Sequence, residues 1–228
     1  MSLAAYPLKL KDQLGAMLHK RRIQKALARE VEQRLSARTP IKLVVGAGPG
    51  TEMVGPPNSI HEDWLLTDYA TLNALEPTDW ANIFDGATIS RVFAEHVVEH
   101  WTTDGLRVFL TILKRYLDRD GNLRIAVPDG FHPDPAYIEQ VKPGGTGPGA
   151  NDHKVLYNYQ TLTKIFVDEK WDCELLEYFD EEHGFPSRPW DRANGFVERA
   201  ELTDPRNEQR PLTYTSLILD ARPRNSGP

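Results

Sequence analysis

The sequence predicts an α/β fold: one domain built on a mostly parallel sheet that is covered on both faces. Three observations lead there. Short apolar runs alternate with segments whose apolar residues recur at helical spacing, the pattern of strands joined by crossover helices. A glycine-rich loop follows directly on the first run. The residues with chemical capacity also stand just after runs, and in a parallel sheet those strand ends meet along one edge.

Residues 1–38 hold nine Lys and Arg against three Asp and Glu, and Leu10, Leu14, Leu18, Leu27, Val31 and Leu35 recur through them at helical spacing. A basic amphipathic helix is expected over residues 1–39, as an extension packed on a domain of residues 40–228. After Pro40, residues 41–45 run apolar into Gly46-Ala47-Gly48-Pro49-Gly50, a buried strand ending in a loop. A second short strand over residues 64–67 ends at Asp68, and a third over residues 87–94 ends at Glu95-His96. Thr102 or Thr103 then caps a helix whose apolar side carries Leu106, Phe109, Leu110, Leu113 and Leu117, closed by Asp120-Gly121. The next strand, residues 123–127, is broken by Pro128-Asp129-Gly130. A Gly/Pro-rich stretch over residues 142–151 follows, then a helix near 159–170, a strand over 173–179, a polar insert near 180–212 and a last strand over 214–221.

The net charge is -6, and the basic residues cluster at the start, so the body is strongly acidic and a poor partner for a phosphate backbone. No nucleic-acid partner is expected. No apolar stretch has the length of a membrane span and the start lacks a signal-peptide core, so a soluble cytoplasmic protein with no membrane partner is expected. Cys173 is the sole cysteine, which excludes a disulfide within the chain and thiolate metal clusters.

Glycines after a first strand are a weak signal alone. Asp68 strengthens it, because a carboxylate ending the next strand can accept hydrogen bonds from both hydroxyls of a ribose. The pair implies a nucleoside-containing cofactor. A dinucleotide would need a helix N-terminus after the glycines to hold its pyrophosphate, and Gly55-Pro56-Pro57 leaves room for about one turn. A phosphate-free cofactor such as S-adenosyl-L-methionine tolerates such a loop.

His96, Glu99 and His100 spell H-x-x-E-H. On a helix the two histidines would share a face with Glu99 beside them, as in a zinc-dependent hydrolase. Residues 88–94 are instead β-branched and apolar, and the next helix has its own threonine cap. The motif is therefore expected at a strand end, with no metal site.

The motifs VVGAGPG, WLLTDYA, RVFAEHVVEHW, NLRIAVPDG, GGTGPGANDHKVLYNYQTL and LTYTSLILDA together resemble the class I S-adenosylmethionine-dependent methyltransferases, over about residues 41–222. The likeness is greatest to a small subfamily with AEHVxEH and VPDG motifs. It implies a Rossmann-like, seven-stranded, mostly parallel sheet with an antiparallel last strand and helices on both faces. It also implies cofactor contacts at Gly46, Ala47, Gly48 and Gly50 for the methionine part and at Asp68 for the ribose. Tyr69, Asp79 and Trp80 are the implied adenine contacts, and Glu95 lies near the methyl. The chain departs from the family where residues 55–58 replace the helix after the glycine loop, and at Ser90, where many relatives carry an aspartate.

The reaction implied is methyl transfer to a small-molecule, sugar or nucleotide-sugar acceptor. Candidate catalytic residues are His100, Asp129 and His153, with a lid near residues 142–153 carrying Asp152 and His153. Trp190 and Phe196 are candidates for the pocket wall. The alternatives are the zinc-dependent hydrolase using residues 96–100 and a non-catalytic cofactor-binding protein of the same fold.

Overall fold

Successive residues of the central strands bury into two different cores. In β1 (Lys42–Val45), Leu43 and Val45 join a large core while Val44 faces a small one; in β3 (Ile89–Glu95), Val92 and Ala94 join the first and Phe93 the second. The period of two is that of a sheet buried on both faces. The computed structural model describes residues 10–48, 53–208 and 212–224.

β2 (Leu65–Thr67), β4 (Leu117–Pro128), β5 (Trp171–Glu177) and β6 (Ser216–Pro223) complete a six-stranded sheet of order β2-β1-β3-β4-β6-β5. β2, β1, β3 and β4 pair in parallel, and β6 runs antiparallel to both β4 and β5, with Ala126 opposite Ile218. The antiparallel last strand agrees with expectation, but the described residues hold six strands and not seven. Beyond β2 the chain offers an irregular segment in place of a strand. Met53 O accepts from Leu66 N (2.9 Å) and Gly55 N donates to Trp64 O (2.8 Å), which satisfies the outer edge. Only glycine fits at 55, where a Cβ would lie 1.7 Å from His61 O.

The helices correct a second expectation. α1 (Leu10–Ala37), α2 (Pro77–Phe84), α3 (Thr103–Leu113) and α5 (Tyr159–Asp168) all bury side chains in the same large core, with Trp80, Phe84, Phe109 and Phe166 fully enclosed. The opposite face is covered by residues 53–64 and by the insert between β5 and β6, through Trp64, Val197 and Ala200. Gly55-Pro56-Pro57 and Pro186, Pro189 and Gly195 work against an α-helix there, and the insert forms single 3₁₀ turns at Arg192–Asn194 and Pro205–Asn207. A fully buried Arg124 ties the insert down: Nε and Nη2 bond the Asp220 carboxylate (2.7 and 2.8 Å), and Nη1 reaches Asp191 O and Gly195 O (2.8 and 2.7 Å).

Local signals account for the helix starts. Thr102 caps α3 by accepting from Gly105 N at 3.1 Å, and Asn158 forms a capping box with Thr161 at the start of α5. Two short helices were not anticipated, α2 and α4 (Pro135–Val141); each begins with a proline after an acidic cap, Glu76 or Asp134, and is too short to show a clear period. Asp120-Gly121 does not close α3. It lies in β4, where the register with β3 jumps from Leu117 to Asn122. In α1, Leu27 and Val31 are buried but Leu18 and Leu35 are exposed, and the side chains of Leu10 and Leu14 lie outside the described residues. The helix docks instead through Ile23, Leu27 and Val31, with Lys20 Nζ 2.6 Å from Asp79. Among the described residues no helix is long and apolar enough to cross a membrane.

Candidate functional site

The chain leaves β1 for β2 on one side and returns to β3 on the other, so the ends of β1 and β3 diverge at the point where strand order reverses. Open α/β sheets bind ligands in that crevice. Here a cavity of about 390 Å³ is lined by Gly46, Ala47 and Gly48 from one strand end and by Glu95 and His96 from the other. Gly46 (φ 78°) must be glycine because a Cβ would stand 2.4 Å from Val97 Cγ2. At Gly48 (φ 93°) a Cβ would meet nothing within 4 Å, and it is the left-handed backbone that favours glycine. Gly50 lies outside the described residues.

Asp68 ends β2 as expected. Its Oδ1 accepts from Thr71 N (3.0 Å) and Thr71 Oγ1 (3.2 Å), while Oδ2 makes no hydrogen bond among the described residues. Tyr69 beside it is 78% exposed, and neither residue lines the 390 Å³ cavity. Asp79 and Trp80 turn the other way. Trp80 is fully buried against Phe84, Phe109 and Tyr116 with its indole N–H on Ala74 O, and Asp79 binds Lys20 and Asn73 N. An adenine contact at 79 or 80 is thereby corrected to core packing and an ion pair with α1.

The H-x-x-E-H letters sit at a strand end and a single 3₁₀ turn (Val98–His100), not on an α-helix. The face-sharing arrangement that the hydrolase reading needs is absent. His96 adopts a left-handed conformation (φ 53°), a strained choice for histidine that places its ring between Ser216 Oγ at 3.0 Å and Glu99 Oε1 at 3.5 Å. Burial holds the His96 pKa well below the ordinary histidine value, so the ring is neutral.

On its far side His96 borders a second cavity of about 350 Å³, which also contains Glu99, His100, His153, Arg206 and Tyr214. His96 and Arg199 line both spaces. The 142–153 stretch reaches this cavity by hydrogen bonding: Lys154 N and Val155 N donate to Glu99 O (2.7 and 3.3 Å), and His153 Nδ1 contacts Val141 O at 2.7 Å. The stretch is not the unsupported loop its composition suggests. Gly145, Thr146 and Gly147 donate to Lys142, Glu139 and Gln140 carbonyls, and Ala150 is buried. His100 and His153 meet edge to face at 4.7 Å. Burial, then the nearby His153, lowers the His100 pKa, while burial raises Glu99 to about 8.

Asp129 does not join them. It is fully buried, its oxygens accept from Phe131 N (3.0 Å) and Phe179 N (2.6 Å), and burial raises its pKa to about 6. It fixes the ends of β4 and β5 and is not placed to act as a general base. Glu95 likewise anchors the insert, accepting from Glu198 N and Arg199 N (3.2 and 2.9 Å). Trp190 stacks beneath Arg124 and bonds Glu177, so it packs on the sheet and lines neither of these two cavities. Arg199, Arg206 and Tyr214 were missed; they sit in or beside a polar insert whose composition gives no hint of which charges turn inward. A larger hollow of about 650 Å³ by Cys173 and Arg188 is a surface groove crossed by the exposed Arg188–Glu174 pair, without convergent unpartnered groups.

No family model matches this chain, and no curated protein does. Solved structures similar to it include magnesium protoporphyrin IX methyltransferase from Synechocystis PCC 6803 with bound SAH, 12% identical, covering 96% of this chain and 89% of that one, with a TM-score of 0.41. The DhpI–SAH complex is 13% identical over 92% of this chain and 97% of that one, TM-score 0.41. A SAM dependent methyltransferase from Archaeoglobus fulgidus is 14% identical over 90% and 97%, TM-score 0.40.

Proposed function

We propose that this protein transfers a methyl group from S-adenosyl-L-methionine to a small-molecule, sugar or nucleotide-sugar acceptor. The observation that carries this reading is the pair of cavities meeting at His96 and Arg199, one against the glycine loop at the strand-order reversal, the other holding titratable side chains. A transferase needs two adjoining spaces, one for each reactant.

The residues fit the cofactor. Gly46, Ala47 and Gly48 line the first cavity, where the methionine part could lie, and Asp68 Oδ2, which makes no hydrogen bond among the described residues, can accept from a ribose hydroxyl. After the glycine loop the described chain continues as a bend and an edge bridge, not as a helix N-terminus that would hold a pyrophosphate. The cofactor would supply a methyl carbon already activated as a sulfonium. The chain's own task is then to align the acceptor for in-line attack and exclude water. His96 forms the wall between the spaces. Arg199 and Arg206 line the acceptor space, each beside a carboxylate of the chain, Glu95 at 3.5 Å and Asp204 at 2.5 Å.

Calorimetric titration tests the reading directly. S-adenosylmethionine and its demethylated product should each bind and NAD should not. Failure of both to bind, or tighter binding of NAD, would overturn it.

A further inference from the structure

We propose that Glu99, His100 and His153 hold a divalent transition-metal ion, zinc or a chemical relative, leaving coordination positions open toward the second cavity. Glu99 is 1% exposed, and among the described residues neither carboxylate oxygen has a hydrogen-bond partner. A buried carboxylate without partners is costly, and it calls for a proton or a cation. Imidazole nitrogens stand around it, His96 Nδ1 at 3.5 Å and His153 Nε2 at 4.0 Å from Oε1.

One donor atom from each of Glu99, His100 and His153 lies within 4.8 Å of the other two. Around a tetrahedral zinc with bonds of about 2.0–2.1 Å, donors stand roughly 3.4 Å apart. Small side-chain movements close that gap. The surroundings also orient the ligands. Val141 O can only accept, so the 2.7 Å contact fixes the proton of His153 on Nδ1 and leaves Nε2 as a lone pair facing Glu99. Asp152 Oδ2 lies 3.5 Å from His100 Nδ1, an ion-pair distance and not a formed hydrogen bond, and favours a proton on that nitrogen. His96 is not counted as a ligand, because its Nε2 is engaged with Ser216 and it falls outside the set of donor atoms that lie within 4.8 Å of one another.

Two imidazoles and one carboxylate suit zinc, cobalt, nickel or iron(II) far better than magnesium or calcium. Three protein ligands in a cavity of about 350 Å³ leave space for oxygen donors on the metal. An acceptor with neighbouring oxygens could chelate there, its hydroxyl made more acidic by the ion. That last step rests on the methyl-transfer reading, whereas the ion site does not.

The test is titration of chelator-treated protein with Co²⁺, followed by visible ligand-field absorption and calorimetry, with Zn²⁺ as competitor and Mg²⁺ for comparison. A single equivalent of Co²⁺ should bind, yield to Zn²⁺ and bind far more tightly than Mg²⁺. Glu99→Gln and His153→Ala should each weaken Co²⁺ binding on the order of a hundredfold or more, and Asp152→Asn by about tenfold. His19→Ala and His183→Ala, both at exposed positions, should change nothing. No ligand-field bands, or equal binding in a folded His153→Ala or Glu99→Gln protein, would overturn the site. S-adenosylmethionine titrated separately reports on the methyl-transfer reading alone, so the two can fail independently.

Discussion

The two faces of the sheet are held by different physics. Under the helices, Trp80, Phe84, Phe109 and Phe166 fill a continuous apolar core. On the opposite face a small apolar cluster is supplemented by buried charge: Arg124 on Asp220 and two backbone carbonyls, Glu177 on Trp190 Nε1 and Glu201 N, and Glu95 on two amides of the insert. The first face is specified by shape and the second by pairing. Pairing can hold irregular chain close to the sheet while leaving space beneath it, and both candidate cavities draw on that insert through Arg199.

Substitutions that separate shape from charge are the strongest way to break this contrast. Trp80→Ala should cost about 3–5 kcal/mol of unfolding free energy, the usual penalty for emptying a buried aromatic site. Arg124→Met keeps much of the volume and should still cost about 3 kcal/mol or more, because Asp220 and two carbonyls lose their donor. Urea denaturation measures both. A neutral Arg124→Met would show that apolar contact holds the second face as it does the first.

Asp129 sharpens the contrast through pH. Its folded pKa, about 6, is raised from an ordinary value of 3.8 by burial. A raised acid contributes stability that is fully present below about pH 4 and is lost as pH climbs through 6. Up to about 3 kcal/mol should disappear across that window. The difference in unfolding free energy between wild type and Asp129→Asn, measured from pH 4 to 7, isolates the group from other raised carboxylates such as Glu95 and Glu177. A pH-independent difference would mean that the backbone N–H groups of Phe131 and Phe179 offset its burial completely.

The same contrast explains what could be read from sequence. Strand ends are local: an apolar run followed by glycine, aspartate or Glu-His identifies itself, and Gly46, Asp68, Glu95 and His96 all stand where the runs predicted. The helical periodicity of α3 and α5 was equally legible. What escaped was set by long-range pairing. The resemblance implies an adenine contact at Asp79-Trp80, yet Lys20 from α1 and the Phe109 and Tyr116 rings claim the pair. His153 meets Glu99 only because the backbone amides of 154 and 155 dock on Glu99 O, and no local pattern encodes that bond. The seventh strand and the second helical layer were expectations from resemblance, and the proline and glycine content of residues 55–57 and of the insert works against both.

The smallest predicted effect probes the cofactor side, where strand-end geometry alone should suffice. Asp68→Ala would remove both the ligand contact and the turn that Oδ1 makes with Thr71, so Asp68→Asn is the cleaner variant. An asparagine can keep its oxygen on Thr71 while presenting a neutral amide where Oδ2 stood. Replacing a charge-assisted hydrogen bond by a donor that a ribose hydroxyl must reorient to meet should cost about 1.4 kcal/mol or more, a tenfold weaker Kd for S-adenosylmethionine. Unfolding free energy should change by less than about 1 kcal/mol, since the turn is retained. A Kd unchanged from wild type in a folded Asp68→Asn protein would detach the end of β2 from the cofactor and leave the glycine loop without its partner.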